Sequence, residues 1–297
     1  MKESENVIIF EIKKSGMTVE EVLKQIYGIS GRLYRRLIRN NQIYLNGKEL
    51  KFDIQVREGD EIAIFMENEV ENSIPVNIPI DIIYEDFDFL ILNKQPNIVV
   101  HPTKSHQTDT IANGVAYYFN KNNINKKVRF VNRLDMGTSG VLVIAKNAFT
   151  HQQMSKQMQE GTIEKKYLAI VEGVMEKDEE IINLPIGKED DEPMARSVME
   201  NGQEAITKYK VVERLNNATL LEVEIKTGRT HQIRVHMKHI GHPIIGDELY
   251  NKLSPFIDRQ ALHAYKLKFI HPRTQEQKEI IADMPKDMES LLEKLRV

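Results

Sequence analysis

The chain has 297 residues, enough for one large domain or for a large and a small one, and it carries no cysteine. That excludes a disulfide framework, a thiolate nucleophile and a cysteine-based zinc site. The formal net charge is -3, so a surface for a polyanion must be local rather than global, and with no apolar run near the ~20 residues of a membrane span a soluble cytoplasmic protein is expected.

After a short alternating strand near the start, Thr18-Val19-Glu20-Glu21 has the form of a capping box and predicts a helix to about Tyr27. Ser30 caps a second helix, in which Leu33, Leu37 and Ile38 form an apolar stripe and Arg32, Arg35, Arg36 and Arg39 take the remaining surface. Ile43-Tyr44-Leu45 then leads into Asn46-Gly47, a strong hairpin signal, with Val56 to Ile62 predicted as the returning strand. No acid stands between Arg32 and Lys48, so these cations lack the opposite charges of an ordinary solvated helix face, and arginine forks match phosphate. Residues 67–77 are polar and acidic and read as a linker, which predicts domains at 1–66 and 78–297.

Strand-like runs recur from residue 80: Ile80 to Tyr84, Phe89 to Asn93, Val128 to Val131, Val141 to Ala145, Tyr167 to Val171, Ala205 to Val212 and Thr219 to Ile225. Thr110 to Phe119, Ala148 to Glu160 and Ile233 to His239 read as helices. Close succession of strands predicts an α+β fold with a mixed, mainly antiparallel sheet and helices packed on it. Between two of the strands lies Arg133-Leu134-Asp135-Met136-Gly137-Thr138-Ser139-Gly140. Its carboxylate sits beside an arginine in a turn too flexible to serve as core; an Asp there is a reactive group on a rigid scaffold or a turn-former bonding its own backbone.

Further segments favour the reactive group. In order they are Ile82-Ile83-Tyr84-Glu85-Asp86, Asn93-Lys94-Gln95-Pro96, Val100-His101-Pro102, Lys165-Lys166-Tyr167-Leu168-Ala169, Thr227-Gly228-Arg229-Thr230-His231-Gln232-Ile233-Arg234-Val235-His236 and Gly241-His242-Pro243-Ile244-Ile245-Gly246-Asp247. With the Asp135 turn they resemble the RluA family of RNA pseudouridine synthases from about residue 80 onward, and residues 1–66 resemble the S4 RNA-binding domain.

The resemblance implies isomerisation of uridine to pseudouridine in RNA without a cofactor. It makes Asp135 the catalytic carboxylate and pairs it with Arg234, leaving Arg229 for phosphate or fold. Attack at C1′, addition to C6 and assistance to glycal formation all stay open for Asp135. Tyr167 would stack on the base and receive the C5 proton, with Lys165 in the same motif, and Arg133 would fill the gap left by a flipped nucleotide. Arg32, Arg35, Arg36, Arg39 and Lys48 would lie along RNA. Ribosomal RNA is the first expectation and transfer RNA the second, for a monomer; the rival reading is an RNA-binding or ribosome-assembly factor with a lapsed active site. One departure stands out: Asn132 occupies the place of a common His, which removes a group able to titrate near neutrality. His231, His236, His239 and His242 lack a metal-site pattern and predict no metal.

Overall fold

A computed structural model describes residues 2–189, 192 and 194–296. The N-terminal part holds β1 (Val7–Glu11), α1 (Val19–Glu21, continued by a π-helical turn at Val22–Ile26), α2 (Gly31–Arg39), β2 (Ile43–Leu45), β3 (Lys48–Glu49) and β4 (Glu61–Phe65). The strands form an antiparallel sheet in the order β1-β4-β2-β3. Thr18 and Glu21 make the reciprocal capping bonds and Ser30 accepts from the Leu33 N–H, as their sequence positions predicted. Ile8, Phe10, Leu23, Leu33, Leu37, Ile62 and Ile64 are buried together between sheet and helices.

Two expectations need correction here. The returning strand starts at Glu61, because Arg57 to Asp60 form a turn: Asp60 Oδ2 accepts from the Arg57 N–H at 2.7 Å and Gly59 has φ +87°. Ile38 is 37 % exposed, and Tyr34 fills the apolar stripe of α2 in its place, one turn from Leu37.

The rest of the chain continues with β5 (Ile82–Glu85), β6 (Phe89–Lys94), α3 (Ile111–Lys121), β7 (Arg129–Phe130), β8 (Ser139–Ala145), α4 (Ala148–Gln159) and β9 (Glu164–Glu172). Then come β10 (Glu179–Asn183), a separate hairpin of β11 (Ile186–Lys188) and β12 (Arg196–Val198), β13 (Ile206–Leu215) and β14 (Ala218–Ile225). The last elements are α5 (Gln232–His239), β15 (Leu262–Ile270), β16 (Gln277–Ile281) and α6 (Lys286–Leu295). The large sheet runs β10-β13-β14-β9-β15-β8-β6-β5, with β16 beside β15 and β7 beside β8. Every pair in it is antiparallel except β15 with β8. This is the α+β architecture with a mixed, mainly antiparallel sheet that the sequence predicted.

At the parallel pair the backbones touch. Gly140 has φ +112°, and a Cβ there would stand 2.2 Å from the Ala264 carbonyl oxygen, so β8 can enter the sheet beside β15 only through glycine. The N-terminal part packs on α4. Phe149 joins its core with an edge contact to Phe10, Gln152 donates to the Gly28 carbonyl at 2.7 Å, and Gln153 donates to that of Tyr27 at 2.9 Å. Arg273 holds the buried Asp88 with two nitrogens and reaches the Val7 carbonyl with a third at 2.7 Å. Among the described residues no helix is long and apolar enough to cross a membrane.

Candidate active site

Asp135 heads the turn into β8, closed by the Thr138 N–H donating to the Asp135 carbonyl at 3.0 Å. Just before it, Asn132 extends the short β7 edge with its side chain: Nδ2 donates to the Val141 carbonyl at 3.0 Å and Oδ1 accepts from the Val143 N–H at 2.8 Å. Both polar atoms are consumed by the strand, which makes Asn132 a fold residue and accounts for an untitratable side chain there.

Two buried cations fix the turn from beneath. Lys94 donates to the carbonyls of Gln95 and Met136 at 2.9 and 3.0 Å, and Arg259 donates to that of Gly137 at 2.9 Å. Arg259 also grips Asp287 at the start of α6 at 2.6 and 2.9 Å, so the C-terminal helix is tied to the Asp135 turn. Burial, then the nearby Arg259, push the Lys94 ammonium down to about 7, and Asp135 opposes the shift. Gly137 leaves room for Gln260, whose Oε1 would lie 2.4 Å from a Cβ at that position.

Arg234, on the first turn of α5, bridges two carboxylates. Its Nε and Nη2 each donate to Asp247 at 2.7 Å, and its Nη1 donates to Asp135 Oδ2 at 3.2 Å. Arg234 is 7 % exposed and Asp247 fully buried, and Asp247 Oδ1 is also approached by the N–H groups of Leu249 and Tyr250. The guanidinium lies over the Tyr250 ring, 4.9 Å from its centroid. Asp135 Oδ1 has no protein partner among the described residues and faces a cleft lined by Arg133, Tyr167, Arg229, His231 and Arg234.

The sequence-predicted residues thus fall in four places. Asp135, Tyr167 and Arg234 meet in one cleft although they are far apart in the chain. Arg229 and Arg133 stand exposed at its walls, Arg229 with Nε on the Glu204 carbonyl at 2.9 Å. Lys165 is half-buried on β9, two residues before Tyr167, and does not line the cleft; burial and Lys226 lower its pKa. Arg32, Arg35, Arg36, Arg39 and Lys48 are exposed, and none is in an ion pair among the described residues. For Tyr167, burial first and the Asp135 charge second raise the phenol well above its ordinary value.

Asp247, Tyr250, Lys94 and Arg259 belong to this site and were not singled out from the sequence, and His231, weighed there only as a metal ligand, belongs to it too. Asp247 and Lys94 stood inside quoted motifs without a role, and Arg259 and Tyr250 gave no signal. His236 uses both ring nitrogens on Thr207 and the Leu184 carbonyl. A metal-like cluster of Asp86, Asp88 and His271 lies elsewhere, and its carboxylates are already engaged by Tyr84, His271, Arg273, Asn147 and Thr150.

Residues 88–239 match the family model of RNA pseudouridylate synthases, and residues 7–66 match that of the ThiS family. An uncharacterised RNA pseudouridine synthase of Bacillus subtilis is 37 % identical over 279 residues, covering 93 % of this chain and 98 % of that relative. Ribosomal large subunit pseudouridine synthase D of Buchnera aphidicola is 35 % identical over 298 residues, 94 % of each chain. The solved structure of human RNA pseudouridylate synthase domain containing 1 superposes with a TM-score of 0.58 at 26 % identity, covering 74 % of this chain and 95 % of its own. With a cleft built around the Asp135 carboxylate, these likenesses place the chain in the RNA pseudouridine synthase family, in the RluA group that the motifs resembled. It is an enzyme that isomerises uridine to pseudouridine.

Proposed function

We propose that the substrate is large-subunit ribosomal RNA and that Asp135 is the essential carboxylate, in a monomer acting in the cytoplasm. The observation that carries the reading is the division of Arg234 between Asp247 and Asp135. Two of its nitrogens are committed to a buried anion, so the third is held at Asp135 Oδ2 and Oδ1 is left for the nucleotide. Arg234 then positions the carboxylate more than it neutralises it, since the trio of one cation and two anions keeps a net negative charge.

In the isomerisation the C1′–N1 bond breaks with its electron pair on uracil, the ring turns, C5 bonds to C1′, C5 loses its proton and N1 gains one. Tyr167 offers a ring face for the base beside Asp135. A phenol with so raised a pKa keeps its own proton, which favours stacking for Tyr167 and leaves the C5 proton to Asp135 or water. Arg133, exposed at the cleft wall, suits the gap left by a flipped nucleotide, and Arg229, exposed beside it, suits a flanking phosphate. The N-terminal module, residues 1–66 ahead of a 67–77 linker, is proposed as an S4-like RNA clamp working through Arg32, Arg35, Arg36, Arg39 and Lys48. Their exposure without ion-pair partners among the described residues supports that role. A ribosomal substrate is supported by relatives named for the large subunit.

Mapping pseudouridine in RNA from cells lacking the gene tests the substrate. A large-subunit position that loses the modification, restored by the wild-type gene and not by Asp135→Ala, is expected. Loss confined to transfer RNA would replace the substrate.

A further inference from the structure

We propose that His231 supplies the N–H that holds the uracil after its bond to the sugar breaks, an inference that rests on the synthase reading above. His231 caps α5 with φ +59°, the left-handed region that a residue other than glycine occupies at a cost. It lines the cleft together with Tyr167, Thr230 and Arg234.

Tyr250 aims the ring. His231 Nδ1 lies 2.8 Å from the Tyr250 hydroxyl, and the backbone N–H of Arg196 donates to that same hydroxyl at 2.8 Å. The phenolic oxygen therefore accepts from Arg196, and its own proton needs another acceptor. Among the described residues Nδ1 is the acceptor within reach, and burial, pushing the Tyr250 phenol up to about 12, keeps that proton in place. Tyr250 donates to Nδ1, so neutral His231 carries its proton on Nε2. Burial lowers the His231 pKa and favours this neutral ring.

Nε2 stands 3.8 Å from Asp135 Oδ2, too far for a hydrogen bond, and that oxygen is already taken by Arg234. The Nε2–H is thus a donor with no protein acceptor among the described residues, facing the space beside the catalytic carboxylate. Breaking C1′–N1 leaves an electron pair spread over N1 and the two carbonyl oxygens of uracil. A donor already oriented there stabilises that charge as it forms. A neutral imidazole is a weak acid, so it holds the base without protonating it, and N1 and C5 remain free to exchange places.

The test is steady-state tritium release from RNA labelled at uracil C5, for wild type, His231→Gln and His231→Asn, with unfolding midpoints checked for all three. Gln carries an amide N–H about as far as Nε2. Asn tolerates the left-handed backbone and still accepts from Tyr250, but brings no donor to the cleft. The expected result is a kcat for His231→Asn lowered by about 10²–10³-fold with KM little changed, and a Gln variant that recovers at least about tenfold of that loss. A loss in Asn no larger than in Gln overturns the inference, because a purely structural His231 is replaced best by Asn. Absence of release from the wild type would instead strike the synthase reading itself.

Discussion

Arg234 and Asp247 form a two-pronged pair, with both N···O distances at 2.7 Å, and this pair fixes the direction in which the remaining Arg234 nitrogen meets Asp135. Asp247 is not among the residues lining the open cleft, yet it decides where the Asp135 carboxylate is held.

Asp247→Ala should therefore damage both stability and rate. It leaves Arg234 charged and buried without its main partner, which costs about 3–5 kcal/mol. Asp247→Asn keeps one acceptor and should lose less stability while still lowering kcat by at least about tenfold through a misdirected Nη1. Urea unfolding and tritium release measure the two effects. Full activity in either variant would show that Asp135 needs no such guide.

Lys94 predicts a pH dependence of stability. Its pKa is about 7 in the fold, against the ordinary lysine value of 10.5, so between these limits the unfolded chain binds the extra proton. Stability must rise with pH across that window, with the full penalty of a buried charge below it. The stability of wild type minus that of Lys94→Met should increase between pH 7 and 10 by on the order of a few kcal/mol. Parallel pH profiles for the two proteins would contradict the buried ammonium.

Gly140 should tolerate no side chain. Gly140→Ala meets the Ala264 backbone at 2.2 Å, and backbone cannot step aside as a side chain does. A loss of at least about 3 kcal/mol, or insolubility, is expected. Gly137→Ala meets only the end of Gln260, which can rotate away, so its cost should be smaller, with the Gln260–Thr138 bond lost.

Positions differ in how far they could be read from the chain. Asp135, Tyr167 and Arg234 were legible because each lies in a contiguous motif, and the capping residues Thr18 and Ser30 because their chemistry is local. The supports were not, since a buried cation such as Arg259 finds its partners at Gly137 and Asp287 only through the tertiary fold. Strand β15 went unpredicted although it is central, and His263 is buried in it between Ser139 and the Ala282 carbonyl. Gly59 and Asp60 are themselves turn residues, and the strand expectation ran through them only because the apolar Val56 and Ile62 stand on either side.

On the N-terminal module, Arg35→Gln with Arg39→Gln should weaken RNA binding and reduce the slope of log affinity against log salt by about 1 for each phosphate contact removed. Both residues are exposed, so the unfolding midpoint should not move. An unchanged slope would remove this helix from the RNA interface.

That the carboxylate of Asp135 performs the isomerisation is tested most directly by tritium release from C5-labelled ribosomal RNA, with wild type and Asp135→Asn compared on RNA that both bind. Release by the wild type is expected, with a rate lowered by at least about 10³-fold in the variant and RNA affinity retained. Equal release by the two proteins, or none by the wild type on bound RNA, would contradict a catalytic Asp135.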